Sequence, residues 1–178
     1  DYVIDVLDPS IQSRNQWEVT VFSENQANAF ALPGGKIGVY AGLLDVAINQ
    51  HQLAAVLAHE VGHVIANHGN ERASQNAIRD ASVAVAQILD VDDTTIGAIE
   101  MGARYGLFLP FNRTQESEAD SIGIMLMAEA GFDPEQSIEL WVRMNSDGGQ
   151  RPPEFMSTHP SPDSRISDLN RQMVTAKS

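Results

Sequence analysis

The run His59-Glu60-Val61-Gly62-His63 constrains this chain more than any other stretch, because it lies inside a helical pattern. Leu53, Val56, Leu57, Val61, Val64 and Ile65 fall at helical spacing, which predicts a helix beginning near Gln50. At 3.6 residues per turn, positions i and i+4 share a face. His59 and His63 are thereby brought together and can share one Zn²⁺, with Glu60 beside the open coordination position as general base. Gly62 costs this helix about 1 kcal/mol of propensity relative to Ala, which reads as room for a close backbone neighbour.

A hydrolytic zinc site takes three protein ligands and keeps one position for water. The chain has no cysteine, so the third ligand must be His, Asp or Glu, and disulfides and thiol nucleophiles are excluded. The segment Glu116-Ser117-Glu118-Ala119-Asp120 offers carboxylates at i and i+4 on a second helix. Glu116 would bind the metal, and Asp120 would accept the spare N–H of a metal-bound imidazole, fixing its tautomer. Glu118 lies ~200° around that helix from Glu116 and is expected to point away.

At 178 residues and 43% hydrophobic, the chain is expected to fold as a single domain, residues 1–178. The part around 17–45 reads as a small, largely antiparallel sheet. Residues 17–22 alternate as a half-buried strand, and 28–32 and 36–40 flank a Pro33-Gly34-Gly35 turn. From about 50 to 175 the period is helical, with Gly69 and Gly131 as expected helix ends, and Asn112 or Thr114 as the expected cap of the helix carrying Glu116. The fold class is therefore α+β, a sheet followed by a helical bundle that carries the zinc site. A net charge of −13 repels phosphate backbones and excludes nucleic acid as a partner. No apolar stretch reaches the ~18 residues of a transmembrane segment. The first residue is Asp1, so a mature or trimmed form is expected, from which a signal or lipid-attachment segment has been removed.

An H-E-x-x-H run followed by E-x-x-A-D resembles the signature of the M48 family of zinc metallopeptidases, within the gluzincins. Further matches are Asn28-Ala29-Phe30-Ala31-Leu32-Pro33-Gly34-Gly35-Lys36-Ile37, Arg113-Thr114-Gln115, Thr158-His159-Pro160 and Arg165-Ile166. Together they resemble the soluble bacterial periplasmic branch, which includes outer-membrane quality-control proteases. The resemblance implies a zincin-like fold with one Zn²⁺ per chain held by His59, His63 and Glu116. It further implies Glu60 as catalytic base and Asp120 as the partner of His59. The expected activity is endopeptidase cleavage of misfolded or misassembled cell-envelope polypeptides, latent until activated, at a periplasmic or outer-membrane-associated location. A zinc-bearing chaperone or assembly factor with little proteolysis is the competing reading.

The resemblance also assigns Asn28, Ala29 and Phe30 to backbone pairing with an extended substrate; the alternative makes Phe30 core and Asn28 a turn residue. His159 has two candidate roles: a donor to the transition-state oxyanion, or a fourth zinc ligand that holds the enzyme latent. Arg165 is expected to anchor this loop or approach the site. Residues 106–111 read as a lid, a membrane- or partner-facing surface, or a buried connector. Extrapolated around the metal helix, His51 lies ~80° and His68 ~180° from His59, so both are expected to be solvated. Met125 and Met127 are expected to pack in or near the core.

Overall fold

Two short helices, α1 (Tyr2–Asp5) and α2 (Pro9–Arg14), lead into a three-stranded sheet. The computed structural model describes residues 2–146, 156, 159 and 164–176. The strands are β1 (Glu18–Phe22), β2 (Ala29–Leu32) and β3 (Lys36–Tyr40), arranged in the order β1-β3-β2. β2 and β3 form the expected antiparallel hairpin, with Phe30 opposite Gly38. Its turn places Gly34 and Gly35 both at φ 89°, a backbone region costly for any residue with a Cβ.

The other pairing differs from expectation. β1 runs parallel to β3, with Glu18 beside Lys36 and Phe22 beside Tyr40, so the sheet is mixed. A hairpin turn dictates direction only between the strands it joins. β1 meets β3 across a gap in sequence, where alternation carries no information on direction. Nor is β1 half-buried: Val19 and Val21 are exposed, because the strand sits at the sheet edge beyond the core.

After a 3₁₀ turn (Ala41–Asp45), α3 (Gln50–Ile65) runs through the middle of the molecule. Asn49 caps it by accepting from the Gln52 amide. Ala54, Ala55, Val56, Ala58 and Val61 are all buried, so α3 is covered on several sides rather than along one stripe. The helix stops at Ala66, and Asn67 adopts φ 65°, before α4 (His68–Ile88) begins. Gly69, the expected helix end, lies inside α4.

α5 (Asp93–Ala103) follows, with Asp92 accepting from the Thr95 amide as its cap. A π-helical turn (Arg104–Phe108) then feeds directly into α6 (Leu109–Glu129), which begins earlier than Asn112 or Thr114. Residues 106–111 are thus helical, and no separate lid loop exists there. α6 ends ahead of Gly131 as expected. Within it Met127 is fully buried but Met125 is surface-exposed, since residues two apart point to opposite sides of a helix. α7 (Glu135–Ser146) and α8 (Arg165–Ala176) complete the bundle. Among the described residues, no helix is long and apolar enough to cross a membrane.

The packing of α3 on α6 positions the site. A Cβ at Gly62 would stand 2.8 Å from the Ala119 carbonyl oxygen, and one at Gly123 would stand 3.1 Å from the His59 nitrogen. Each helix therefore presents a glycine where the other's backbone presses closest. The close neighbour expected at Gly62 is the backbone of α6.

Candidate metal centre

α3 delivers His59 and His63 from one face, and α6 delivers Glu116 and Asp120 against them. His59 Nε2 lies 3.1 Å from His63 Nε2 and 3.1 Å from Glu116 Oε2. His63 Nε2 is 3.4 Å from Glu116 Oε1. His159 joins this group: its Nδ1 stands 3.1 Å from Glu116 Oε2 and 3.3 Å from His59 Nε2. One donor atom from each of His59, His63, Glu116 and His159 falls within 4.8 Å of the others, and all four residues are buried.

These separations test whether a metal fits. Four N or O donors held about 2.0–2.1 Å from one zinc ion lie about 3.3 Å apart at tetrahedral geometry. Five of the donor pairs approach at 3.1–3.4 Å, close to that edge length, with Glu116 presenting Oε2 to His59 and His159 and Oε1 to His63. Three imidazoles converging on one carboxylate in a dry interior also leave lone pairs facing one another, which a cation relieves.

The electrostatics follow from burial and pairing. Burial disfavours a charged His59, yet the carboxylates of Asp120 and Glu116 outweigh it and raise its pKa to about 9. His63 moves the other way, to about 3, chiefly because burial is less well compensated there. Glu116 is also penalised by burial, but hydrogen bonds to His159, His59 and His63 hold it ionised, well below the usual carboxylate range. Asp120, likewise buried, is kept ionised by the Arg165 charge and by His59.

Around the donors, most groups have one clear partner. Asp120 Oδ1 lies 2.9 Å from His59 Nδ1, the contact expected of it. Arg165 donates through Nη2 to Asp120, and its guanidinium lies 3.2 Å from the centre of the Trp141 ring. Glu60 is 1% exposed, and its Oε1 has no hydrogen-bond partner among the described residues. His159 Nε2 stands 3.3 Å from that oxygen, close enough for charge attraction but not aligned for a hydrogen bond.

Glu60, His63 and His159 open onto a cleft of about 160 Å³ whose other wall includes Asn28, Ala29, Phe30 and Ala31. β2 is an edge strand. The Tyr40 amide donates to the Asn28 carbonyl, so by alternation Ala29 and Ala31 turn their backbone groups away from β3. Asn28 Oδ1 accepts from the Ala29 amide. The Phe30 ring packs with Phe22 and Tyr40 over Gly38, and the residue also lines the cleft.

Two residues of α4 were not foreseen at the site. His68 is 1% exposed rather than solvated, with Nδ1 2.8 Å from His63 Nδ1. The angle of ~180° assumed an unbroken helix, whereas Asn67 breaks it and redirects the chain. An Asn, tolerant of positive φ, was the available signal. Arg72, one turn later, donates from Nη2 to Glu116 Oε1 at 2.9 Å and from Nε to Gln115 at 2.8 Å. His51, half-buried, accepts from the Asp133 amide and takes no part in the cluster. Glu118 points away from the donors, as expected, and reaches His68 Nε2 at 3.3 Å.

A helix carrying H-E-x-x-H, a glutamate from a second helix and an edge strand across the cleft define the metallopeptidase class. The chain belongs to peptidase family M48, whose model matches residues 3–173. It is 39% identical over 165 residues to mitochondrial metalloendopeptidase OMA1 of Schizosaccharomyces pombe, covering 91% of this chain and 48% of that protein. It is 35% identical over 179 residues to the OMA1 of Saccharomyces cerevisiae, covering 96% and 51%. Against the beta-barrel assembly-enhancing protease of Escherichia coli (strain K12) it is 33% identical over 165 residues, covering 85% and 33%. The chain spans about half or less of the length of these relatives.

Proposed function

We propose that this domain is a zinc-dependent endopeptidase in which His59, His63 and Glu116 hold the metal and Glu60 is the general base. The observation that carries the reading is Glu60 Oε1, a buried carboxylate oxygen without a hydrogen-bond partner among the described residues, at the junction of donor set and cleft. A structural metal site has no use for such a group. Bound zinc would supply Lewis acidity, bringing the pKa of a water near 7. Glu60 then accepts a proton from the attacking water at Oε1 and passes it to the leaving amine. Asp120 keeps the His59 proton on Nδ1, so that Nε2 offers a lone pair. The outward Ala29 carbonyl and the outward backbone groups of Ala31 pair with an extended polypeptide, holding the scissile bond beside Glu60.

His159 makes this arrangement a closed one. With its Nδ1 among the donors, four protein atoms surround the metal position, and sites with four protein ligands leave no place for water. The domain is latent in this form, and His159 must withdraw for substrate to enter. Closure alone is equally compatible with a chaperone or assembly factor bearing an inert metal; the Glu60 Oε1 without a hydrogen bond among the described residues favours the enzyme.

The substrates we infer are misfolded or misassembled cell-envelope polypeptides, at a periplasmic or outer-membrane-associated location. Support comes from the name of the Escherichia coli relative, a protease that enhances beta-barrel assembly. The OMA1 relatives are named as mitochondrial, which makes the shared element a metalloendopeptidase rather than a compartment. The test is cleavage of an unfolded polypeptide by the zinc-loaded His159→Ala chain, in which the closed form does not mask activity. Cleavage abolished by a chelator and restored by zinc supports the enzyme; chelator-insensitive cleavage contradicts it.

A further inference from the structure

The two metal-facing imidazoles of α3 are steadied from opposite sides by different chemistry. His59 has the Asp120 carboxylate at its Nδ1, whereas His63 has another imidazole, that of His68. We propose that His68 is a positioning residue for His63: it accepts the His63 Nδ1 proton and so turns the His63 Nε2 lone pair into the metal-binding set. The inference rests on the reading of His63 as a ligand.

The proton assignment follows from the outer end of the chain inward. Glu118 Oε2, 3.3 Å from His68 Nε2, belongs to an acceptor-only carboxylate, so His68 Nε2 carries the proton. A neutral imidazole has one N–H, which leaves His68 Nδ1 as an acceptor. His63 Nδ1, 2.8 Å away, must then be the donor, and its Nε2 is left with a free lone pair. That Nε2 is the atom 3.1 Å from His59 Nε2 and 3.4 Å from Glu116 Oε1. Each link therefore has one assignment, and the last delivers the tautomer that metal binding needs.

The backbone explains how His68 gets there. α3 ends, Asn67 takes φ 65°, and α4 restarts with His68 as its first residue, folded back over His63. Burial to 1% exposure excludes water as a substitute acceptor.

The test compares His68→Leu with His68→Asn in the intact chain, using Zn²⁺ alone and a competing chromophoric chelator. Asn places Oδ1 where His68 has Nδ1, keeping an acceptor; Leu fills the space without one. His68→Leu is expected to weaken zinc binding about 10–100-fold, while His68→Asn stays within about threefold of wild type. The Co²⁺-loaded His68→Leu protein should also show a changed ligand-field spectrum, and the Asn variant a wild-type one. Wild-type affinity in His68→Leu would overturn the proposal, as would equal loss in both variants, which marks a packing role. Failure of the wild-type chain to bind zinc would instead overturn the metal reading, and this inference with it.

Discussion

Gly62 on α3 and Ala119 on α6 meet so closely that a Cβ on the glycine would stand 2.8 Å from the alanine carbonyl oxygen. This contact sets the distance between the helix bearing His59 and His63 and the helix bearing Glu116 and Asp120. Gly62→Ala gains about 1 kcal/mol in helix propensity. Against that, overpacking costs about 1–3 kcal/mol, near its upper end here because backbone cannot rotate away. A net loss of about 1–2 kcal/mol should lower Tm by about 2–8 °C, readable by thermal denaturation. An unchanged or higher Tm would show that the helices separate freely.

Asp120 and Arg165 form a buried ion pair next to His59, with the guanidinium lying on Trp141. Breaking it from one side strands a buried charge, so Asp120→Ala should cost about 3–5 kcal/mol. Replacing both partners, Asp120→Ala with Arg165→Leu, should be less damaging than the sum of the single changes. Chemical denaturation of the four proteins gives the coupling directly. Strict additivity would mean that the pair does not act as a unit.

His159 occupies the fourth corner of the donor set. His159→Ala should raise peptidase activity on an unfolded substrate at least tenfold, by leaving one position for water. If His159 were instead required to stabilise the oxyanion, the same substitution would lower activity by about 10²–10³-fold. Initial rates at saturating zinc separate the two outcomes.

Metal removal should loosen the bundle between α3 and α6. A ligand that binds only the folded chain stabilises it by about 2.7 kcal/mol at a hundredfold excess over its Kd. Dialysis against a chelator should therefore lower Tm, and zinc should restore it. A Tm indifferent to zinc would argue that the four donors do not bind it.

The parts of this architecture legible in the sequence are those that repeat within one element. The α3 face with His59 and His63, the i, i+4 pair Glu116 and Asp120, the β2–β3 hairpin and the stop near Gly131 all depend on local period or turn chemistry. The parts that were not legible depend on breaks and on distance. The direction of β1 is decided by a non-local pairing with β3. His68 was misplaced because a helical wheel was carried across Asn67, where the helix ends. Arg72 reaches Glu116 across 44 positions, and no periodicity in α4 marks it. Residues 106–111 continue into α6 although they include Gly106 and Pro110: the first falls in a π-helical turn and the second in the opening turn of α6.

The central claim is that Glu60 performs proton transfer at a zinc site, and the Glu60→Gln substitution tests it most directly. It should be made in the His159→Ala background, where latency cannot hide activity, and zinc content measured alongside cleavage of an unfolded polypeptide. The account predicts equal zinc content in the two proteins, with cleavage by His159→Ala and none by the double variant. Equal cleavage by both would contradict it.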